Sequence, residues 1–407
     1  MFQNSRFLRF LCARLLATLA AQMQGVAVGW QVYEASGQLL DLGLIGLAQF
    51  APFIVCVLPA GEAADRFDRR RTIMVCYALQ LCSALGLLVL AQKPDVHVLG
   101  IFGVLVLQGV ARAFIMPAQQ AILINIVPVS DFGRAVAINS STFHVAVVVG
   151  PTLGGLLYVT GPSLVYGLAA GLLVCAFVAM GTLDVTSQLR SERRLSAASL
   201  LEGLRFVRRE PLVFGAMSLD LFAVLLGGAV GLLPAYARDI LHSDPSGLGL
   251  LRTAPGVGAA CASMALSVRP IVRNVGAWMF GGVAIFGVAT LVLGFTAHAG
   301  VAFGALFLTG FGDMLSVYVR HNLVQLATPD DIRGRVSAVN AVFISASNEL
   351  GMFESGLTAA WLGVIPAVLL GGGATLLVAL GWWLLFPSLA RLDVFPQPPA
   401  RAPSASA

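Results

Sequence analysis

Residues 128–139, PVSDFGRAVAIN, and residues 329–340, PDDIRGRVSAVN, write one pattern twice: Pro-x4-Gly-Arg-x2-Ala-Ile/Val-Asn. The copies start at Pro128 and Pro329, 201 positions apart in a chain of 407 residues, so the second repeats the first at half the chain length. In each copy a long apolar run precedes the proline and another follows the arginine. Each therefore reads as a short polar corner between two membrane-spanning helices, present once per half of a duplicated bundle.

Composition agrees. With 58% hydrophobic residues, 11% charged residues and a mean hydropathy of +0.87, the chain lacks the charge a water-facing surface needs, which is about a quarter of residues. Apolar stretches of about 20 residues, each enough to cross a hydrocarbon core as a helix, fall at 10–34, 38–60, 72–92, 98–120, 134–158 and 162–182 in the first half. The second half offers 212–237, 247–268, 275–297, 300–324, 336–360 and 363–386. None alternates as a barrel strand would. The expected fold is an all-α integral membrane protein, with twelve transmembrane helices in two pseudo-symmetric six-helix bundles. Residues 1–183 form the first bundle and 212–388 the second. Residues 184–211 are a polar linker whose Ser199-Leu200-Leu201-Glu202 start suggests a capped amphipathic helix. Two readings stand for that linker, a helix lying on the cytoplasmic surface and a solvated tether between the bundles. The Pro-, Ala- and Ser-rich tail, 389–407, is expected to be disordered.

The net charge of +5 does not point to nucleic acid, because the basic residues lie in short groups between spans. One side holds Arg6 and Arg9, Arg66 to Arg71, Arg134, Arg190 to Arg209, Arg269, Arg273, Arg333, Arg335, Arg391 and Arg401; the other holds Lys93, Arg238 and Arg252. The positive-inside rule makes the first side cytoplasmic, with both termini and the linker. Arg14 interrupts the first apolar run, which favours an uncleaved first span over a secretory signal. Cys12, Cys56, Cys76, Cys82, Cys175 and Cys261 lie in apolar runs without metal-ligand spacing and read as packing residues.

Between the second and third spans lies Gly61-Glu62-Ala63-Ala64-Asp65-Arg66-Phe67-Asp68-Arg69-Arg70-Arg71, read as one tight corner. Topology accounts for the arginines but not for Gly61 and Asp65 at the membrane exit, where a carboxylate can meet the positive end of a neighbouring helix. This loop resembles the major facilitator superfamily signature G-x-x-x-D-R-x-G-R-[RK], matched by Gly61, Asp65, Arg66, Arg69 and Arg70, with Asp68 in place of a glycine. The resemblance implies the major facilitator fold and a conformational latch in which Asp65 caps the start of span 11, near Gly334 and Arg335. Gly150-Pro151-Thr152-Leu153-Gly154-Gly155 in span 5 matches the superfamily's G-P-x-x-G-G core, associated with exporters that run as antiporters. The same residues also read as a small-residue packing face. Over its length the chain is most similar to the enterobactin-exporter-like branch.

In span 4, Gln108-Gly109 is followed one turn on by Arg112, while Leu105 stands where the family carries arginine. Arg112 either substitutes from the next turn or snorkels to the interface. Charges inside spans each cost about 3 kcal/mol on insertion scales and mark a pathway, a partner or a relay. Asp220, Asp313 and Glu349 lie deepest. Family architecture lines the cavity with spans 1, 4, 7 and 10, which implies substrate or proton roles for Gln22, Gln24, Arg112, Asp220 and Asp313. The alternative for Asp313 is a structural pair with Arg320, and for Glu349 an interhelical bond beside Asn348. Asp220, a lone carboxyl, is the first candidate for proton coupling and Asp313 the next.

His97, His144, His242, His298 and His321 are scattered and no nucleotide loop occurs, so neither an enzyme, a metal, a cofactor nor ATP is expected. The resemblance implies a monomeric secondary transporter of a bacterial inner or plasma membrane. It would be a proton-coupled exporter of a small amphipathic compound, such as a siderophore or drug, working by alternating access. Import of a nutrient or metabolite is the near alternative; a membrane-embedded sensor or enzyme is the alternative of another class. The expected partners are that small molecule, protons and the lipid bilayer, without nucleic acid.

Overall fold

The computed structural model describes residues 5–93, 97–184, 197–330 and 332–396. The first half contains α1 (Ser5–Ser36), α2 (Leu39–Arg66), α3 (Arg69–Ala91), α4 (Val98–Ile126), α5 (Phe132–Tyr158) and α6 (Pro162–Gly181). A linker helix, α7 (Ala197–Arg209), leads to α8 (Pro211–Gly227), α9 (Leu233–Ala235), α10 (Pro245–Val268), α11 (Val275–Phe295), α12 (Ala299–Ala327), α13 (Arg333–Leu362), α14 (Val364–Leu385) and α15 (Pro387–Ala390). No strand occurs among the described residues, as a hydrocarbon solvent requires when it cannot satisfy an open sheet edge.

Duplication is legible in the packing. In the first half α1 meets α5 and α6, α2 meets α4, and α3 meets α4 and α6. In the second half α8 meets α13 and α14, α10 meets α12, and α11 meets α12 and α14. Each pair in one list has its counterpart six spans later in the other. The halves join where α2 packs on α13 and α5 on α10, a cross-pairing that is itself symmetric.

Ten described segments are long and apolar enough to cross a membrane. α10 and α13 have matching lengths and complete the twelve, but they carry more polar and small residues. They are also the helices that the second half presents to the first, so less of their surface needs to suit lipid. Tight reversals at Gly37, Gly161 and Gly363 use φ of +64°, +125° and +90°, where a side chain would be strained. These three corners lie at the end of the bundle away from the chain's start, here the far side.

Several expectations are corrected. The corner after span 2 is not one loop over Gly61–Arg71: α2 continues to Arg66, and only Phe67 and Asp68 turn the chain. Asp68 replaces a glycine because its carboxylate caps α3, accepting from the Arg71 backbone N–H at 3.1 Å. Span 7 is not continuous. It breaks at Gly228, proceeds through a 3-10 turn and α9, and ends in a π turn at Tyr236–Ile240. The Gly228 carbonyl freed by the break is bonded by the Ser355 hydroxyl at 3.1 Å.

The linker helix is not a solvated tether: it packs by one face on the second half. Val207 is fully buried in the second half's core, and the Gly203 site lies against the Arg335 backbone. Ser199 does not cap it, since the helix already runs at Ala197. The tail is ordered through Pro396: Leu389 is buried, and Asp393 accepts from the Asn274 N–H at 3.0 Å. Residues 397–407 lie outside the described residues. The cysteines are free, and Cys12, Cys82, Cys175 and Cys261 are exposed on the outer surface of the bundle rather than packed inside it.

Candidate transport site and gates

A polar track runs along the seam between the halves. Gln24 of α1, buried, accepts a hydrogen bond from the Gln108 amide of α4 at 2.7 Å. One turn along α4, Arg112 forms an ion pair with Glu349 of α13. Arg112 therefore does not snorkel to the interface, and Glu349 does not rest on a bond beside Asn348. Glu349 is 10% exposed and Arg112 42%, so the pair is open on the arginine side. Gln22 takes no part in this polar contact; its Cβ packs where the Gly150 site comes close.

A second charge cluster lies within the other half. Asp220 of α8 and Arg320 of α12 pair at 3.3 Å, with side chains 7% and 4% exposed. Arg320 also donates to Asn340 Oδ1 at 2.9 Å. Asp220 is thus not the lone carboxyl that its sequence context suggests, and Arg320 belongs first to Asp220 rather than to Asp313. Asp313, partly buried two turns earlier on α12, lies in the electrostatic field of both. Asp220 and Asp313 thus have one guanidinium near them, and Asp220 is the carboxyl in contact with it.

Residues of the loop motif bind helix ends. Arg69, buried, donates to the Ala121 carbonyl at 3.0 Å and to Asn125 Oδ1 at 3.0 Å, near the end of α4. Arg70 donates to Met180 O at 3.2 Å and also to Gly181 O, at the end of α6. Cations at helix C-termini satisfy orphan carbonyls and complement the dipole. Gly61 is buried in α2. The side chains of Asp65 and Arg66 lie outside those described. Arg335 pairs with Glu202 of the linker helix at 2.6 Å, and Gly334 is exposed with open space around it.

The glycine motif of α5 faces two neighbours. A Cβ on Gly154 would meet Met23 of α1 at 2.8 Å, and one on Gly155 would meet Gly249 Cα of α10 at 2.8 Å. In return, a Cβ on Gly249 would press on the Pro151 carbonyl at 2.5 Å. The Thr152 and Thr253 hydroxyls bond across the same seam at 2.7 Å. Further out, Tyr33 of α1 donates to Asp239, and Arg238 stands over the Tyr33 ring at 5.8 Å. Gly43 of α2 and Gly356 of α13 are packed backbone to backbone. Together these contacts close the far side.

Sequence reasoning passed over several of these residues. Arg252 counted only as a far-side charge, yet its guanidinium enters the seam and donates to the Gly25 carbonyl at 2.8 Å. Its position eight residues past Asp244, the cap of α10, was the available signal. Tyr33, Asp239 and Glu202 carried no signal, since nothing in their local sequence names a partner more than 100 residues away.

The Major Facilitator Superfamily model matches residues 10–352. The multidrug efflux pump Tap of Mycolicibacterium fortuitum is 27% identical, covering 96% of this chain and 98% of its own. The enterobactin exporter EntS of Citrobacter koseri is 26% identical, covering 96% and 94%. Among solved structures, an inward-facing, unoccupied bacterial homologue of the human lysosomal transporter Spinster superposes with TM-score 0.73 at 13% identity, covering 96% of this chain and 97% of that one. A POT family transporter in complex with 5-aminolevulinic acid gives 0.74 at 11%, covering 94% and 96%. With twelve spans in two matching halves, a cross-half polar seam and a family match over most of its length, the chain belongs to the Major Facilitator Superfamily and is a membrane transporter, not an enzyme.

Proposed function

We propose that the protein is a proton-coupled exporter of a small amphipathic compound, a siderophore or drug, acting as a monomer in a bacterial inner membrane with both termini in the cytoplasm. The first half, 1–183, and the second, 212–396, rock against each other about the seam. The observation that supports export is the α5 glycine motif, of the kind associated with exporters, which lies against α10 at Gly249 beside the Thr152–Thr253 bond. The arginine distribution assigns the side opposite this seam contact, the terminal side, to the cytoplasm. The relatives named as efflux pumps and exporters support the same direction.

Coupling follows from charge balance. Arg320 can neutralise one of Asp220 and Asp313, and Asp220 is the one it touches. Asp313 is left to exchange a proton as the halves move and its access to water changes. Arg112–Glu349, an ion pair between the halves, is the contact through which a change at the seam alters the equilibrium between states.

Inside-out membrane vesicles test the reading, with a lipophilic fluorescent dye and a catecholate siderophore as probes. Energised vesicles should accumulate at least one probe, and a protonophore should abolish the accumulation. Accumulation unchanged by the protonophore would refute proton coupling, and loss of preloaded probe on energisation would refute export.

A further inference from the structure

Arg252 is a cation placed in the seam without an anion. It lies on α10, and its guanidinium crosses to α1, where Gly25 and Gly29 leave a notch. A Cβ on Gly29 would sit 3.2 Å from Nη2 and 3.1 Å from Pro234 Cγ; one on Gly25 would sit 3.6 Å from Nη1. A side chain at Gly29 would press on the guanidinium, whereas at Gly25 it would only touch it, so Gly29 makes the room and Gly25 supplies the neighbouring carbonyl. Inside the seat Nη1 donates to the Gly25 carbonyl, whereas Nε is buried without a hydrogen-bond partner. Among the described residues no carboxylate pairs with Arg252.

A guanidinium drawn into the seam, its Nε buried and only one carbonyl bonded, is an expensive group to keep. Arg320 has Asp220 and Asn340, and Arg69 and Arg70 each have two acceptors at helix ends; Arg252, partly buried, has the single Gly25 carbonyl. Arg252 also adjoins the polar track, since Gly25 follows Gln24 directly. A planar fork with unused donors, in a small-residue notch between the halves, matches a planar oxyanion attached to an apolar body.

We propose that Arg252, seated against Gly25 and Gly29, recognises the anionic group of the transported compound, so that the substrates include amphipathic carboxylates. The inference rests on the exporter reading and narrows its substrate class. Binding of the anion supplies a counter-charge to Arg252. It competes with the Gly25 carbonyl for the guanidinium and so loosens one of the contacts between α1 and α10. Substrate recognition and release of the far-side closure would then use the same side chain.

The test uses the purified full-length protein in detergent and in proteoliposomes. The probes are a panel of aryl carboxylic acids, each paired with its methyl ester, read by thermal stabilisation titrations. The wild type should bind at least one acid tenfold or more tightly than its ester. Arg252→Gln should reduce that preference to within twofold, mainly by weakening the acid, and Arg252→Lys should retain part of it. If Arg252→Gln fails to give a monodisperse protein, Gly29→Ala serves instead. Its added carbon presses on Nη2 and should weaken the acid several-fold more than the ester. No acid binding in the wild type, or an acid-to-ester ratio unchanged in these variants, overturns the proposal. Gradient-driven flux of the dye and siderophore by the wild type is measured in parallel. If that flux is present while the acid preference is absent, the anion inference fails alone. If it is absent altogether, the exporter reading fails.

Discussion

Asp220→Asn and Asp313→Asn should have opposite phenotypes, although each removes one carboxylate from the same cluster. At 3.3 Å and an effective dielectric constant of about 20, the Asp220–Arg320 attraction is on the order of 5 kcal/mol before desolvation. Both side chains are nearly sealed, so solvent screening discounts this little. Removing one partner of such a buried pair typically costs about 3 to 5 kcal/mol, because the survivor is left charged and unmatched. Asp220→Asn leaves Arg320 with the Asn340 bond and with Asp313, which is seven residues away on the same helix, about 10 Å at 1.5 Å rise per residue. It should therefore lower the melting temperature by several degrees, and the double variant Asp220→Asn/Arg320→Met should regain most of the loss.

Asp313→Asn removes the carboxyl that Arg320 does not directly hold. It should leave the melting temperature near that of the wild type, while abolishing uptake against a gradient and sparing exchange of probe down its gradient. The assays are scanning fluorimetry in detergent and flux in proteoliposomes with an imposed pH difference. If Asp220→Asn melts like the wild type while Asp313→Asn is the destabilised variant, the assignment of Arg320 to Asp220 is wrong. If Asp313→Asn drives uphill flux with the wild-type pH dependence, the proton is carried elsewhere.

Glu349→Gln should weaken the cross-half bond to Arg112 and change the accessibility of seam cysteines; the charge-swapped Arg112→Glu/Glu349→Arg should restore it, and failure of both changes would mean that the pair plays no part in switching. Gly155→Val places branched carbons against Gly249 and the Pro245 carbonyl, so cysteines introduced on the far side should become reactive to impermeant maleimide; unaltered labelling would remove the glycine motif from the closure. Asp244, outside the spans, caps α10, and hydrogen bonds from Ser246 and the Gly247 N–H hold its carboxyl below the ordinary carboxylate range. The stability it adds is present above the unfolded-state value and disappears as pH falls through the folded one. The melting advantage of wild type over Asp244→Ala should therefore shrink on acidification, and an advantage that grew would contradict the cap.

Hydropathy and the repeated corner were enough to read the spans, because a helix in lipid must satisfy its own backbone and needs a fixed length. The same physics made Asp220, Asp313 and Glu349 conspicuous as buried charges. Their partners were not legible. Arg112 and Glu349 are 237 residues apart and meet because of how α4 and α13 are rotated across the seam, which no local pattern encodes. Arg320 was visible as a neighbour of Asp313 along one helix, but its side chain turns to Asp220 on another. Arg252 was hidden for a different reason: counting positive charges by side treats every arginine near a span end as a loop residue. Gly25 and Gly29, which make room for it, look like ordinary small residues of a membrane helix.

The strength of the far-side closure has a consequence for how the protein can work. It contains a tyrosine–carboxylate bond, a guanidinium–carbonyl bond and a threonine pair, set among glycines that bring backbones together. Charged hydrogen bonds are worth about 1.5 to 3 kcal/mol net and neutral ones about 1, so the polar part of the seal amounts to roughly 4 to 7 kcal/mol. Moving a two-state equilibrium from 1:99 to 99:1 requires about 5.5 kcal/mol of differential binding. The two magnitudes coincide. On the proposed reading, a ligand group that competes for Arg252 and a change of protonation at Asp313 act against a seal of this size. A larger apolar interface in place of Gly155, Gly249, Gly43 and Gly356 would hold the protein in one state, and that cost explains why the helices at the seam carry small and polar residues where lipid-facing helices carry leucine and valine.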